Sequence, residues 1–327
     1  GGDEFRVAAA PPGSVPQAAA QALAGWPETL QCEGARGWRF DVGHYQAILG
    51  RLRGPCFARA TVGPVPPWVM QAIAHARRAA ETQGSEPAAR LGAFLRSLPP
   101  GVRAESPVME FQREGIAFGL ARGGRCLLGD EMGLGKTLQA LVIAAQYQDE
   151  WPALIVAPPM LLFVWKDQAH QWLPHLLRPG LVQVLSHAMQ FLSPSAQLVI
   201  ISYDLLVRHE RFQRRADGRS YEVVVFDESH LLKDWKAKRT LVCVRLARLA
   251  RRCVLASGTP MLNRAAEIHP QLCALAPQTP KFDTFCERYC EREGRRWVGA
   301  KHREELYALL IGTVMVRRTK ADVLHEL

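Results

Sequence analysis

The stretch "RCLLGDEMGLGKTLQALVIAAQ", Arg125 to Gln146, decides the fold because it joins three elements in a fixed order. A short apolar run ends at Leu128, a loop with three glycines follows, and a helical pattern begins near Lys136. Glycines let a loop turn its backbone N–H groups toward an anion, and the start of a helix adds a partial positive charge there. The order of strand, glycine loop and helix therefore predicts a phosphate-binding loop.

The residues at the end of this loop suit ATP with its magnesium ion. We expect the backbone at Gly133 and Gly135 to approach the phosphates and Lys136 to reach the β and γ phosphates, while the Thr137 hydroxyl binds Mg²⁺. Position 130 holds Asp130 where the strict motif has glycine, so the match is to a variant of the loop. The alternative, a glycine-rich turn without a ligand, is uncommon between a strand and a helix.

A second motif, "VVVFDESHLLKDW" from Val223 to Trp235, places two carboxylates directly after an apolar run. Open α/β sheets bind ligands at the carboxyl ends of their strands, so Asp227 and Glu228 are expected at the same edge as the glycine loop. We expect Asp227 to hold Mg²⁺ through water and Glu228 to orient and polarise the attacking water. With Lys136 they form the predicted catalytic set.

His230 follows these carboxylates and is open to several interpretations. A zinc protease would carry two histidines four residues apart on a helix, and a serine hydrolase would carry a G-x-S-x-G turn; the sequence has neither here. Zinc held by Asp227 and His230 is a weaker alternative, because the glycine loop already provides the carboxylates with a partner. We expect His230 to couple the γ-phosphate corner to the motif "SGTP", with Ser257, Gly258 and Thr259, unless it only packs locally at a helix start.

Short apolar runs alternate with helical stretches over residues 101–327, as in "ALIVAPP", "LVIISY" and "VVVFDE". This alternation predicts an α/β lobe whose mostly parallel sheet is flanked by helices. Residues 29–100 are predicted to form a small α+β domain, because "GWRFDVGHYQAILGRL" suggests a strand before a helix and Pro66 and Pro67 open another helix. Residues 1–28, rich in Ala, Pro and Gly, are predicted to form a flexible tail or linker.

Composition leaves the class of partner open. The opening "GGDEF" is a signature of cyclic-dinucleotide synthases, but there it follows strands, which Gly1 lacks. The net charge of +10 and pI near 9.4 suit an anionic partner without identifying it. The eight cysteines form no C-x-x-C pair, so we expect reduced structural thiols in an intracellular protein, Cys286 and Cys290 included. No apolar run approaches the roughly 20 residues of a membrane-spanning helix, so we expect a soluble protein without a membrane partner.

With "GDEMGLGKT", "DESH" and "SGTP" in this order, the chain resembles the first RecA-like lobe of superfamily-two helicases. The run "SGTPMLNRAAEIHPQLCALAP", with Asn263 and Glu267, is similar to the SWI/SNF-type pattern, although the proline usual after Arg264 is missing. "DESHLLKD", "ERYC" and "VMVRRTKADVLHEL" are most similar to the HARP-type annealing helicases. That branch consists of ATP-driven translocases on double-stranded DNA that rewind strands and remodel stalled forks. The likeness covers about residues 102–327.

The resemblance implies further site residues and partners. Gln112 in "FQREGIAFGL" would read the adenine, and Pro158, Ser202 and Tyr203 would touch the phosphate backbone of DNA. Trp165 is as readily a core residue as a DNA contact. The basic stretches "RHERFQRRADGR" and "KDWKAKR" are candidates for phosphate contacts or are solvated faces. The implied partners are double-stranded or forked DNA and replication or repair proteins, in the nucleus.

The flanking regions suggest a larger protein. "GWRFDVGHYQAI" resembles a HARP substrate-recognition domain through Trp38, Phe40 and Tyr45, with a generic small cap as the alternative. The chain starts without Met and stops inside a predicted helix, so we expect a longer polypeptide whose second RecA-like lobe supplies arginine fingers. This chain alone is then expected to bind ATP weakly and barely hydrolyse it. The alternatives are a non-hydrolysing DNA-binding or regulatory module, an SWI/SNF-type chromatin remodeller and an RNA helicase.

Overall fold

The computed structural model describes residues 4–7, 29–32, 38–41, 65–83, 86–98, 108–260 and 264–326. These residues fall into two compact units. The first contains the described residues up to Arg78 together with His302–Thr313, and the second contains those of Ala79–Lys301 and Val314–Leu327.

The strands and helices are, in chain order, β1 (Glu4–Val7), β2 (Thr29–Cys32), β3 (Trp38–Asp41), α1 (Pro67–Gln83), α2 (Glu86–Ser97), α3 (Glu110–Leu120), β4 (Arg125–Leu128), α4 (Lys136–Ala145), β5 (Ala153–Ala157), α5 (Leu162–Trp172), β6 (Val182–Leu185), β7 (Leu198–Ser202), α6 (Tyr203–Arg208), β8 (Val223–Asp227), α7 (Lys238–Leu249), β9 (Arg252–Ala256), α8 (His269–Leu275), α9 (Phe282–Tyr289), β10 (Glu291–Glu293), β11 (Arg296–Val298), α10 (Arg303–Thr313) and β12 (Met315–Val316). Short 3-10 turns lie between several of them, including Pro159–Leu161 and Ser229–Leu232.

The first unit contains a three-stranded antiparallel sheet in the order β1, β3, β2. Helix α1 begins at Pro67 and buries Val69 and Ile73, which lie four residues apart on one face. Strand β1 lies inside residues 1–28, for which the sequence predicts a tail, because its backbone groups pair with Trp38–Asp41. Tyr45 of the HARP-like motif lies outside the described residues, and the predicted domain limits at 28 and 100 stay predictions.

The second unit is built on a seven-stranded sheet in the order β12, β4, β9, β8, β5, β7, β6, in which every pair is parallel. The central strands β5 and β8 are buried at every position, as expected for strands covered by helices on both faces. The predicted α/β architecture is therefore confirmed. Residues 317–326 form extended backbone and turns instead of the helix expected at the chain's end, since their backbone and side chains bond to the glycine loop and helix α3.

Parallel strands bring the motifs together, because their carboxyl ends share one edge of the sheet. The glycine loop follows β4, "DESH" continues from β8, and "SGTP" follows β9. Pro158 follows β5 and Ser202 ends β7 at the same edge. Among the helices in the described part of the chain, none has both the length and the apolar character needed to cross a membrane.

Candidate functional site

At two positions of the glycine loop, the backbone has a conformation that only glycine adopts readily. Gly133 has φ of 90° and Gly135 has φ of 73°, both in the left-handed region. Gly135 also caps α4, and a Cβ atom there would lie 2.4 Å from Nε2 of Gln112. Both backbone conformation and space therefore require glycine at Gly135, which places the start of α4 directly behind the loop.

Lys136 lies where the three predicted motifs meet. Its Nζ donates to the backbone carbonyls of Asp130 at 2.8 Å and Glu131 at 3.0 Å. Burial lowers the pKa of Lys136, whereas the charges of Asp130, Glu228 and Asp227 oppose that change. A Cβ atom at Gly258 would lie 3.6 Å from Nζ. The amine is thus hydrogen-bonded to the loop, lies close to "SGTP" and interacts electrostatically with the "DESH" carboxylates.

Asp130, which departs from the strict glycine-loop motif, anchors the loop to the residues after β12. Its carboxylate is fully buried and accepts hydrogen bonds from Gln139 Nε2 at 3.0 Å and from the Arg318 backbone N–H at 3.0 Å. The Arg318 guanidinium lies 3.3 Å from the same carboxylate. Burial raises the pKa of Asp130, and the bonds from Gln139 and Arg318 partly oppose this rise.

Arg317 and Lys320 border the loop from the same segment, and the sequence interpretation missed them. Arg317 Nη1 donates to the carbonyls of Gly129 at 2.8 Å and Gly258 at 3.1 Å, so it joins the loop to "SGTP". A Cβ atom at Gly133 would lie 3.9 Å from Lys320 Nζ. The sequence does contain a signal for them, because "RRTK" has three cationic residues among four, but this run contributed only to the family resemblance.

Asp227 is held by three hydrogen bonds at the end of β8. Its Oδ1 accepts from the Glu228 backbone N–H at 2.9 Å, and its Oδ2 accepts from Trp165 Nε1 at 2.7 Å. Its backbone carbonyl accepts from the Tyr203 hydroxyl at 2.6 Å. Burial raises the pKa of Asp227, and the Trp165 hydrogen bond opposes the rise.

Glu228 and His230 form the next layer of the site. Glu228 has φ of 47°, an uncommon value for a side chain larger than glycine, and such strain concentrates at functional sites. Its Oε2 lies 3.1 Å from His230 Nδ1, and the same nitrogen lies 3.1 Å from Ser257 Oγ. His230 therefore touches both the carboxylate corner and "SGTP"; whether it couples them in function stays a prediction.

A second link between the two motifs passes through Gln271, which sequence reasoning did not single out. Ser229 Oγ donates to Gln271 Oε1 at 2.8 Å, and Gln271 Nε2 donates to the Pro260 carbonyl at 2.7 Å. The Ser257 hydroxyl meanwhile accepts from the Thr259 backbone N–H at 3.2 Å. "DESH" and "SGTP" are thus joined by two separate side-chain bridges.

The residues expected to touch DNA differ in exposure. Pro158 is half-buried, and the Ser202 hydroxyl accepts from the Leu205 N–H at 3.3 Å as the cap of α6. Tyr203 and Trp165 are 3% and 1% exposed, so neither offers its side chain to a ligand at the surface. The nucleic-acid contact expected of Tyr203 stays a prediction, and its hydroxyl is hydrogen-bonded inside the lobe.

Gln112, the expected adenine reader, lies against the glycine loop. Its Oε1 accepts from the Met109 backbone N–H at 3.1 Å at the start of α3, and its Nε2 lies 3.5 Å from the Leu134 carbonyl. Glu267 is buried beside Arg264, with 3.8 Å between their charged atoms. Asn263 lies outside the described residues.

The donor atoms at this edge suit Mg²⁺ held jointly with phosphates. Thr137 and Asp227 supply a hydroxyl and a carboxylate, the oxygen donors that Mg²⁺ prefers, and Mg²⁺ sites with one or two carboxylates take their other ligands from phosphates and water. Within the described residues no group of three or more His, Cys, Asp and Glu is arranged to hold a metal alone. Cys286 and Cys290 are buried, and the two thiols share a hydrogen bond.

Comparison with known proteins agrees with the geometry. Residues 111–327 match the SNF2-related domain. The chain is 36% identical over 305 residues to "SWI/SNF-related matrix-associated actin-dependent regulator of chromatin subfamily A-like protein 1" of Xenopus tropicalis, covering 89% of this chain and 30% of that protein. It is 37% identical over 242 residues to "DNA annealing helicase and endonuclease ZRANB3" of Mus musculus, covering 70% of this chain and 22% of that protein.

A solved structure supports the fold. The Sulfolobus solfataricus SWI2/SNF2 ATPase core in complex with dsDNA superposes with a TM-score of 0.55 at 22% identity, covering 67% of this chain and 46% of that chain. The expected RecA-like lobe is thereby confirmed as a fold. The chain spans less than a third of the length of the relatives named above.

Proposed function

The chain belongs to the SNF2-related domain family, and from that premise we propose that it carries the first motor lobe of an ATP-dependent translocase on double-stranded DNA, of the annealing-helicase type. The observation that carries the proposal is the meeting of loop, "DESH" and "SGTP" around the Lys136 amine. Such a site binds a triphosphate, and its link to "SGTP" allows that motif to change position when the triphosphate is bound or hydrolysed.

Each residue has a role that follows from its position. The backbone at Gly133 and Gly135 and the Lys136 amine bind the phosphates, and Gln112 binds the adenine next to the loop. Thr137 and Asp227 would hold Mg²⁺, which supplies charge neutralisation on the transferred phosphoryl group. Glu228 orients and polarises the attacking water, a role helped by a backbone that turns its carboxylate toward His230.

The coupling role of "SGTP" rests on the bridges that join it to the carboxylates. His230 Nδ1 lies 3.1 Å from Glu228 Oε2 and 3.1 Å from Ser257 Oγ. A shift of Glu228 on water attack therefore reaches Ser257, Gly258 and Thr259 through one imidazole. These residues follow β9 and connect to α8, from which we infer that hydrolysis alters the position of that helix.

The partners follow from the family and from the names of similar proteins. The relative's name, a DNA annealing helicase, and the solved structure with dsDNA favour double-stranded or forked DNA, and nuclear replication or repair proteins as further partners. Pro158 and Ser202 lie at the sheet edge that would face the DNA backbone. A HARP-like small domain at residues 29–100 would recognise the substrate. A second RecA-like lobe of the same polypeptide would complete the ATP site.

Nucleotide binding tests the site itself. We expect the 327-residue chain to bind a fluorescent ATP analogue weakly in the presence of Mg²⁺, and Lys136→Ala to remove this binding. Lys281→Ala removes an exposed cation outside the glycine loop, "DESH" and "SGTP", and this variant should bind as the original chain does. Equal binding by the Lys136→Ala protein would contradict the assigned phosphate site.

Hydrolysis tests the need for a second lobe. An arginine finger contributes roughly 10³–10⁵ in rate, so this chain should hydrolyse ATP barely, with or without DNA. Brisk DNA-stimulated turnover would show that no second lobe is needed.

Substrate comparison separates the proposal from its rivals. The longer protein should be assayed for ATPase stimulation by forked DNA, linear duplex, RNA and nucleosomes side by side. The highest stimulation by forks is expected. Equal stimulation by forks and linear duplex would remove the annealing-helicase assignment, and a preference for nucleosomes would favour a chromatin remodeller. No hydrolysis with any of them would favour a regulatory binding module.

A further inference from the structure

Asp227 receives hydrogen bonds from two buried aromatic side chains that belong to two different connections of the sheet. Building on the proposed function, we propose that Trp165 and Tyr203 are positioning residues: they hold Asp227 in its metal-binding geometry and transmit engagement of DNA at the segments after β5 and β7 to the ATP site. Both side chains are hydrogen-bonded to Asp227, so each would act through that residue.

Trp165 orients the side chain of Asp227. The indole is 1% exposed, and its N–H donates to Oδ2 at 2.7 Å. The other oxygen, Oδ1, accepts from the Glu228 backbone N–H at 2.9 Å. Because each carboxylate oxygen accepts a hydrogen bond, the Asp227 carboxylate cannot rotate without breaking one of these bonds. The lone pairs that are not used in these bonds therefore point in a fixed direction. An outer ligand partner of this kind is typical of metal sites in proteins.

Tyr203 orients the main chain of the same residue. Its hydroxyl donates to the Asp227 carbonyl at 2.6 Å, and its ring stacks on Phe226 with centroids 6.4 Å apart. The next residue, Glu228, holds the strained φ of 47°. The Tyr203 hydrogen bond to the Asp227 carbonyl therefore fixes the orientation of the peptide group that joins Asp227 to Glu228. Trp165 and Tyr203 therefore control different parts of one corner.

Both aromatic residues have surface-exposed neighbours in the chain at the carboxyl edge of the sheet. The turn and first helical residues before Trp165 carry Met160 and Phe163, which are 83% and 58% exposed. Tyr203 follows Ser202, and its neighbour Asp204 forms an ion pair with Arg239 at 2.9 Å. Because each aromatic residue lies in the same helical turn as these surface residues or in the next one, a ligand that shifts the surface residues would also shift the donor on Asp227.

The geometry makes this link sensitive to small shifts. Both bonds are short and lie where water is excluded, and hydrogen bonds in such surroundings are stronger than at the surface. The pairs Trp165–Asp227 and Tyr203–Asp227 join elements 62 and 24 residues apart in sequence. The adjacent strands β7, β5 and β8 bring these elements side by side, so no long chain of contacts is required.

Two matched pairs of variants test the proposal. Trp165→Phe removes the N–H on Asp227, and Trp172→Phe is its control, because Trp172 lies in the same helix and donates to Gln168 instead. Tyr203→Phe removes the hydroxyl, and Tyr221→Phe is its control, because Tyr221 is equally buried and its hydroxyl makes no hydrogen bond among the described residues. Thermal unfolding would establish that each variant is folded.

The readout is the Mg²⁺ dependence of nucleotide binding, measured with a fluorescent ATP analogue at a range of free Mg²⁺ and in EDTA. We expect Trp165→Phe and Tyr203→Phe to raise the Mg²⁺ concentration for half-maximal binding by about tenfold or more, within the range seen when metal ligands lose their outer partners. Binding in EDTA should stay within about twofold of the original chain. The two control variants should match the original chain in both conditions.

A second measurement tests the transmission of DNA binding. Saturating duplex DNA should change the half-maximal Mg²⁺ concentration of the original chain, and by thermodynamic linkage Mg²⁺ with nucleotide should change its DNA affinity by the same factor. In Trp165→Phe and Tyr203→Phe this factor should fall toward one while DNA binding itself persists.

The outcomes separate this inference from the proposed function. If the original chain binds nucleotide without any Mg²⁺ dependence, the metal site of the proposed function is wrong. If it depends on Mg²⁺ and Trp165→Phe behaves as Trp172→Phe does, only the positioning role is overturned. Equal loss of binding in EDTA would also overturn it, since that result indicates a purely structural role. If Trp165→Phe does not fold, Tyr203→Phe against Tyr221→Phe decides.

Discussion

At the scale of single residues, the buried pair of Asp130 and Arg318 holds the glycine loop in place. Asp130 is fully buried, and among the described residues the Arg318 guanidinium is the only side-chain cation within 4.0 Å of its carboxylate. Removing one partner of a buried ion pair leaves an uncompensated charge and typically costs about 3–5 kcal/mol. Loss of Arg318 should therefore cost more than loss of one partner in a surface ion pair.

Arg318→Ala should lower the free energy of unfolding by about 3 kcal/mol, measured by urea denaturation, because Asp130 keeps only its Gln139 and backbone donors. Asp130→Asn combined with Arg318→Ala should recover part of that loss, since no charge stays buried. Arg219→Ala, which breaks an exposed pair with Asp217, is the control and should lower the free energy of unfolding far less than Arg318→Ala does. Equal costs for Arg318→Ala and Arg219→Ala would contradict the anchoring role.

The stability loss caused by Arg318→Ala should depend on pH. Burial raises the pKa of Asp130 in the native state above its unfolded value, so its protonation favours folding at low pH and this contribution is lost as pH rises. Without Arg318 the pKa should rise further. The stability deficit of Arg318→Ala should therefore be smaller at pH 5 than at pH 8, and a constant deficit would indicate that Asp130 is not the group affected.

His230 and Ser257 can be tested as a coupled pair by a double-mutant cycle. His230→Ala and Ser257→Ala remove the same 3.1 Å contact, so their effects on the DNA-induced change in nucleotide affinity should be less than additive. His230→Ala with Ser195→Ala is the control cycle, because Ser195 pairs with Ser193 away from the site, and should be additive. Additive effects in the first cycle would mean that the two residues act independently.

At the scale of elements, helix α3 packs closely against helix α4, because α3 has glycine at the contact with α4. A Cβ atom at Gly115 would lie 2.0 Å from Gln139 Oε1 and 3.2 Å from Arg318 Nη1. Gln139 also donates to Asp130, so the packing of two helices and the anchoring of the glycine loop depend on the same space. The glutamine motif is therefore bound to the phosphate loop by packing as well as by Gln112.

Gly115→Ala should lower the free energy of unfolding by about 1–3 kcal/mol, the usual cost of overpacking, and weaken nucleotide binding because Gln139 must leave Asp130. Gly92→Ala in α2 is the matched control. Its nearest atom is the flexible Arg96 Nη1 at 3.3 Å, and glycine-to-alanine changes in helices gain roughly 0.5–1 kcal/mol. Unfolding in urea and titration with a fluorescent ATP analogue measure both effects, and unchanged binding by Gly115→Ala would separate the packing from the loop.

At the scale of the whole molecule, the charge of +10 is distributed unequally between internal bonds and exposed surface. In "RHERFQRRADGR", Arg215 and Arg219 both pair with Asp217, and Arg211 donates to the Gln190 carbonyl. In "KDWKAKR", by contrast, the exposed side chains of Lys233, Lys236 and Lys238 form no ion pair with a carboxylate among the described residues. The second stretch is the better candidate for contacts with phosphates.

DNA affinity of the chain should fall steeply with salt, with a log–log slope of about −0.9 for each phosphate neutralised. Replacing Lys233, Lys236 and Lys238 together by Ala should make the slope shallower by about 0.9 for each of these lysines that binds a phosphate. Arg219→Ala should leave it unchanged, because that guanidinium already serves Asp217. A salt-independent affinity of the original chain would exclude phosphate binding altogether.

Local sequence was sufficient for everything that depends on neighbours in the chain. The glycines of the loop, Lys136 at the start of α4 and the carboxylates after β8 lie where their local pattern predicts, because strand, turn and helix signals act over a few residues. The alternation of apolar runs was enough for the parallel sheet. The role of each remaining residue depends on what lies beside it in space.

Tertiary structure alone decided the partners that complete the site. Arg318 reaches Asp130 across 188 residues, and Trp165 reaches Asp227 across 62, so no local pattern could pair them. Their meeting is set by the strand order β12, β4, β9, β8, β5, β7, which makes neighbours of strands distant in sequence. Burial also decides which interaction the Trp165 indole makes. From the sequence alone this side chain could equally contact DNA, but a buried N–H group requires a hydrogen-bond acceptor, and the Asp227 carboxylate is that acceptor.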